Sequence, residues 1–255
     1  MTTFDAKAVA ARALPLIDLT DLGDAATEDG ARDLCARAVT PHGSVAAVCL
    51  WPRFVAVAKE ALAGTGVKIA TVVNFPAGGE DTGAAETETA QAIADGADEI
   101  DLVMPYRTFL VGRPGFAESQ IVRVKRICEG RAALKVILET GEIGDPEKIR
   151  AAADLALAAG ADFVKTSTGK VAVNATPRAA EILIEAIHAS GRPAGFKAAG
   201  GIRTVAEAAV YLDLADRIMG PGWISPGTFR FGASGLLGDV LAALGGGSAA
   251  TSTGY

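Results

Sequence analysis

Short apolar runs alternate along this chain with stretches whose apolar positions recur three or four residues apart. Runs of the first kind read as buried strands and stretches of the second as amphipathic helices. After an amphipathic lead-in over residues 1–13, Leu14–Thr20 reads as a strand with an acid near its end. Asp24 to about Val39 has helical spacing. Val45–Leu50 is the second strand, stopped by Trp51-Pro52, and Arg53–Leu62 is helical. Val67–Val73 is the third strand, Asn74–Gly79 its loop, and Thr82–Asp95 a helix that Gly96 ends. Glu99–Met104 is the fourth strand, followed by a helical region over Thr108–Glu129 that breaks around Gly112–Gly115. Leu134–Thr140 is the fifth strand. Asp145-Pro146 and Thr176-Pro177 each place a capping side chain before a proline at the first helical position. Those helices run to Ala159 and Ala189, with a strand that carries Lys165 between them. The strand over Ala194–Ala199, a helix over Thr204–Leu214, a strand over Phe229–Ala233 and a helix over Ser234–Leu244 complete the pattern.

Eight strand–helix alternations imply a parallel sheet with helices outside it. Eight such units in a chain of 255 residues suit a (β/α)8 barrel. The rival, an open doubly wound sheet, would bring a glycine-rich phosphate turn after its first strand, and Asp21-Leu22-Gly23-Asp24 is not one. The expected organisation is a single barrel domain over 1–244 with a short N-terminal helix. A flexible Gly/Ser/Thr tail over 245–255 then ends in Tyr255.

Charge and composition narrow the partners. The net charge is −6 and the pI near 5.1, which argues against a nucleic-acid partner but allows a local anion site. No apolar run is long enough for a membrane span and no signal peptide is visible, so a cytoplasmic protein is expected. Cys35, Cys49 and Cys128 show no metal or disulfide spacing, and Cys49 on its apolar strand reads as a packed thiol. No histidine–carboxylate cluster calls for a metal, and no cofactor is expected.

The chemistry concentrates at strand ends, which face the active site of a barrel. Asp18, Thr20, Asn74, Asp101, Glu139, Lys165, Ser167 and Lys197 fall there. Lys165 and Lys197 each interrupt an apolar strand about one βα repeat apart, and each strand ends in glycine-bearing sequence. A free lysine amine, with a pKa of about 10.4, is protonated at neutral pH and a poor nucleophile. A second cation and desolvation lower that value and can produce a Schiff-base lysine. The bland alternative is that each lysine makes a buried ion pair with Asp18 or Asp101. Asp101 can orient an amine or relay protons through water, or be a structural partner only. Gly169 and Lys170, Gly200, Gly201 and Arg203, and Gly232 with Ser234 form loops after the sixth, seventh and eighth strands, where barrels often bind phosphate.

On these residues the chain resembles the deoxyribose-phosphate aldolase family. The likeness runs along nearly the whole chain, through Ile17–Thr20, Cys49–Phe54, Val73–Pro76 and Leu134–Gly141. Its most specific stretches are Gly160–Pro177, Gly195–Arg203 and Arg230–Ser234. The resemblance implies a metal-free (β/α)8 aldolase that reversibly splits 2-deoxy-D-ribose 5-phosphate into acetaldehyde and D-glyceraldehyde 3-phosphate. It implies Lys165 as the Schiff-base lysine, Lys197 as the group that perturbs it, and Asp101 with an ordered water as proton donor and acceptor. It places phosphate binding at Gly169, Lys170, Gly200, Gly201, Arg203, Gly232 and Ser234, with Thr20 and Tyr255 also at the site. The iminium is expected to release the C3–C4 bond. Two departures stand out: Ala198 where relatives often carry proline, and Gly235 where they often carry a second serine. Oligomeric state is not legible here, and a homodimer is one candidate assembly. The rivals are a transaldolase-like Schiff-base enzyme, a sugar-phosphate isomerase using an acid as base, and a barrel that binds sugar phosphate without turnover.

Overall fold

The computed structural model describes residues 5–245. Its elements run α1 (Ala6–Ala13), β1 (Ile17–Asp21), α2 (Glu28–Arg37), a hairpin of β2 (Val39–Thr40) and β3 (Gly43–Ser44), β4 (Ala47–Leu50), α3 (Val55–Ala61) and β5 (Lys68–Val73). There follow α4 (Thr82–Asp95), β6 (Glu99–Val103), α5 (Tyr106–Leu110), α6 (Pro114–Cys128), β7 (Ala133–Ile137), α7 (Thr140–Ile143), α8 (Pro146–Ala158) and β8 (Phe163–Lys165). The chain ends in α9 (Pro177–Ser190), β9 (Gly195–Ala199), α10 (Val205–Met219), β10 (Phe229–Ala233) and α11 (Leu236–Leu244). β1, β10, β9, β8, β7, β6, β5 and β4 are neighbours in that order in a closed, all-parallel barrel. The expected (β/α)8 barrel is therefore present. No described helix is long and apolar enough to cross a membrane.

Local chemistry sets the helix ends. Asp81 caps α4 by accepting the Ala84 N–H at 2.9 Å, and Gly96 closes that helix in the left-handed region at φ 110°. Asp145, Thr176 and Thr204 cap α8, α9 and α10, the last with a reciprocal bond from Glu207.

The structure moves several expected boundaries. Pro15 opens a 3-10 turn over Leu14–Leu16, so the first strand begins only at Ile17. β7 stops at Ile137, and Glu139, expected on the strand, sits in the left-handed region at φ 60°. Burial of Leu212, Leu214 and Ala215 carries α10 on to Met219, past the expected end at Leu214. Ser234 does not start the last helix, whose N-cap is Gly235. The β2–β3 hairpin is too short to leave a periodic signal.

Strand alternation sorts the side chains into two shells. Ile17, Leu19, Ile100, Leu102, Leu134, Val136, Val164, Phe196, Ala198, Phe229 and Phe231 point outward into the core between barrel and helices, and all are buried. Ala47, Cys49, Ala70 and Val72 point inward from β4 and β5 and form a separate small apolar cluster. Among the other inward positions are seven charged residues, Asp18, Glu99, Asp101, Lys135, Lys165, Lys197 and Arg230, all buried. Barrel interiors are ordinarily filled by bulky branched residues, so a charged interior needs space from its neighbours. Gly232 supplies it: a Cβ there would stand 2.9 Å from Lys197 Cε. Gly195 supplies it for Phe163, whose ring lies 2.3 Å from where a Cβ would be. Gly195→Ala should therefore overpack the barrel and lower unfolding free energy by about 1–3 kcal/mol in a urea titration.

Candidate active site

Lys165 and Lys197 are adjacent in register across β8 and β9. Both amines donate to the same oxygen, Asp101 Oδ2, at 2.7 and 2.8 Å. Lys197 also donates to Asp18 Oδ2 at 2.6 Å. Asp18 Oδ1 accepts from Arg230 at 2.6 Å, and Arg230 grips Glu99 with two nitrogens at 2.7 and 3.1 Å. Glu99 Oε2 lies 2.5 Å from Lys135 Nζ, which donates to Asp101 Oδ1 at 2.8 Å. These contacts close a ring in which Asp101, Lys135, Glu99, Arg230, Asp18 and Lys197 alternate in charge. Lys165 hangs from Asp101 outside that ring and has no other carboxylate partner among the described residues.

The two lysines consequently differ. Burial pushes the Lys165 amine down; Asp101 opposes this, the Lys197 charge reinforces it, and the balance lies below the ordinary lysine value. Burial would also lower Lys197, but Asp101 and Asp18 outweigh it and hold that amine above the ordinary value. Lys135 is raised for the same reason, its burial overcome by Asp101 and Glu99. Burial would raise Asp18 and Asp101, yet the surrounding cations hold both carboxyls below the ordinary range. The buried ion pairing weighed in the sequence as the bland alternative is present at both lysines.

Lys165 is 3% exposed and Lys197 fully enclosed, so the former alone of the two lines the cavity above them. That cavity measures about 490 Å³. It gathers Thr20, Gly169, Lys170, Gly200, Gly201, Arg203, Gly232 and Ser234, all the substrate- and phosphate-binding positions that the resemblance implied apart from Tyr255, which lies outside the described residues. Gly200 and Gly201 adopt φ of 85° and 89°, a region that favours glycine. At Gly200 a Cβ would also come within 2.7 Å of Asn174. α11 begins two residues beyond Ser234, so its N-terminus faces the same loops. Lys170 Nζ sits 3.4 Å from Asp24 Oδ1 at the rim. Asn74 instead organises its own loop, donating to Gly79 O and Val103 O at 3.0 Å each. Cys49 is enclosed in the small apolar cluster, and burial pushes its thiol up.

Comparison with known proteins now bears on this geometry. The pattern described as DeoC/LacD family aldolase matches residues 13–232. The chain belongs to the DeoC/LacD aldolase family. A deoxyribose-phosphate aldolase of Agrobacterium fabrum is 53% identical over 248 residues, spanning 96% of both chains. A crystal structure described as a candidate deoxyribose-phosphate aldolase of Coccidioides immitis superposes with TM-score 0.80 at 33% identity, covering 91% of this chain and 85% of that one. Another, from Toxoplasma gondii, gives 0.86 at 28%, covering 94% and 97%. As a member of this family the protein is an aldolase, a carbon–carbon lyase.

In this aldolase the sequence reading missed Lys135, Glu99 and Arg230. Lys135 and Arg230 are each a single charge between apolar neighbours on a strand, the same signal that singled out Lys165, whereas Glu99 follows Asp98 at a strand start and carries no such signal. Asn174, within the Gly160–Pro177 run, was missed too; it lines the cavity, and its buried Oδ1 has no hydrogen-bond partner among the described residues. Both departures are accommodated. Ala198 faces the outer core, away from the amines, and a Cβ at Gly235 would meet nothing nearer than Arg203 Cγ at 3.8 Å.

Asp18 and Asp101 ionise more readily folded than unfolded, so their stabilisation is complete above the ordinary carboxylate value and lost as pH falls through their lower folded values. Thermal melts should show the midpoint falling steeply below about pH 4. A flat acid profile would mean that these two carboxyls are uncharged in the fold.

Proposed function

We infer that this aldolase reversibly cleaves 2-deoxy-D-ribose 5-phosphate to acetaldehyde and D-glyceraldehyde 3-phosphate through a Schiff base on Lys165. The observation that carries this reading is the position of Lys165. It is the one amine of the buried cluster that both lines the cavity and lacks a second carboxylate. The related enzyme from Agrobacterium fabrum supplies the substrate class.

The neutral amine adds to C1 of the open-chain aldehyde, and loss of water leaves an iminium. The C3 hydroxyl then gives up its proton, and the electrons of the C2–C3 bond move toward the iminium nitrogen. C3 becomes the aldehyde carbon of glyceraldehyde 3-phosphate, and a two-carbon enamine stays on Lys165. The products require this bond. A break at C3–C4, expected from the sequence, would leave three carbons on the lysine and could not release acetaldehyde. The enamine takes a proton at C2, water adds to C1, and acetaldehyde leaves with the amine restored.

Asp101 accepts hydrogen bonds from both amines, which fixes Lys165 beneath the cavity and keeps Lys197 protonated beside it. With its carboxyl held low, Asp101 is a weak base in the free enzyme; Lys197 is the stronger candidate for the fixed charge that disfavours a proton on Lys165. Together they hold the proton that water carries to and from the enamine. The phosphate sits among Gly169, Lys170, Gly200, Gly201, Arg203, Gly232 and Ser234, where loop amides, the α11 N-terminus and two cations favour an anion. Thr20 and Asn174 line the space between, within reach of the sugar hydroxyls.

Borohydride reduction in the presence of acetaldehyde should leave a stable adduct on Lys165, mapped by peptide mass; an unmodified enzyme or a label elsewhere overturns the assignment. Lys170→Ala should raise KM for the phosphorylated sugar about tenfold, the loss of roughly one charge-assisted contact, and change kcat little. KM for unphosphorylated 2-deoxyribose should stay unaltered in the same steady-state assay.

A further inference from the structure

We propose that Arg230 and Glu99, at the far side of the buried ring, are positioning residues that set the reactivity of Lys165 by keeping the ring electrically closed. The proposal rests on the Schiff-base reading of Lys165. Both residues lie below the amines, line no part of the cavity and touch no atom that substrate could reach.

The argument is one of charge balance. The ring contains three carboxylates and three cations, each carboxylate bridging two neighbouring cations, with Lys135 also 3.7 Å from Asp18 across it. It is neutral without Lys165. A proton on Lys165 is therefore an uncompensated positive charge on a largely desolvated amine, which sheds it more readily. Arg230 matters because Asp18 offers one oxygen to it and the other to Lys197. Glu99 matters because it holds Arg230 with both oxygens and Lys135 with one of them, which leaves Lys135 to neutralise Asp101 from the side opposite Lys165. Without Arg230, Asp18 and Glu99 together carry excess negative charge that attracts a proton to Lys165. Without Glu99, Arg230 and Lys135 carry excess positive charge that repels it.

The other groups near Lys165 are accounted for. Asp101 on β6, Lys135 on β7, Lys197 on β9 and Asp18 on β1 belong to the ring. Cys49 on β4 is an enclosed thiol held protonated by burial. Glu139, after β7, accepts the Thr168 N–H at 3.1 Å, pairs with no cation of the ring, and is raised by burial. Among the described residues, Arg230 otherwise reaches the Pro226 carbonyl, at 2.5 Å, and the Phe163 ring.

The test is the acidic limb of kcat/KM against pH, which follows the amine that must lose its proton. Arg230→Met should move that limb to higher pH and Glu99→Gln to lower pH, each by on the order of half to one unit for a unit charge roughly 10 Å away. Arg230→Lys, which keeps the charge, should restore the wild-type limb. A merely structural role would scale the whole profile down and displace it in neither direction, so equal limbs in both variants overturn the proposal. Removing one partner of a buried pair is strongly destabilising, and either variant can fail to fold. Wild-type enzyme labelled with ¹³Cε-lysine then decides. Lys135 and Lys197 should keep the chemical shift of charged amines to about pH 10, while Lys165 titrates below the ordinary lysine value. A neutral Lys135 or Lys197 near pH 7 means an open ring and overturns the proposal. Borohydride trapping on Lys165 reads the Schiff base separately, so either conclusion can fail without the other.

Discussion

Taking an ion out of water costs several kcal/mol unless partners replace the lost hydration. This barrel interior holds seven charged side chains, and six of them answer that demand for one another in a closed alternating circuit. The seventh, Lys165, shares a carboxylate oxygen that Lys197 already occupies. Its amine is thus the member of the group for which a proton is least well supported. In the proposed mechanism, reactivity follows from an imbalance of one charge in an otherwise compensated core, and needs no unusual residue type.

The barrel makes that imbalance possible. Closure puts β1 beside β10, so Asp18 and Arg230 meet although they lie at opposite ends of the chain. Parallel pairing in register sets Lys165 beside Lys197 and Asp101 beside Lys135. The opposite wall is built from Ala47, Cys49, Ala70 and Val72, small enough to leave the centre to long charged side chains. Outside, the large aliphatic and aromatic residues of every strand pack under the helices, and that burial supplies the hydrophobic stabilisation against which the charged interior is tolerated. The loops proposed to bind phosphate rest on the same frame, at the strand ends, where they line one cavity with Lys165.

Much of this was legible in the chain because two of its signals are local. Strand and helix periodicities, the caps Asp145 and Thr176, and the glycines past helix ends are decided by neighbours a few residues away. A lone lysine inside an apolar strand is equally visible, and it pointed to Lys165 and Lys197. The same signal was present at Lys135 and Arg230, and was masked at Glu99 by the adjoining Asp98, but carried no weight, because nothing local says that three such charges converge. Glu139 was misplaced for a related reason: its backbone is turned into the left-handed region beside the Thr168 amide, a contact made across the barrel rim.

The sequence by itself determined the alternation of strands and helices, the family, and which residues could carry chemistry, since each depends on residue type and short-range spacing. The tertiary structure alone decided which charges touch and which one is left over. That outcome rests on the closure and register of eight strands, which join residues as distant as Asp18 and Arg230, and no periodicity along the chain encodes how their charges sum in space.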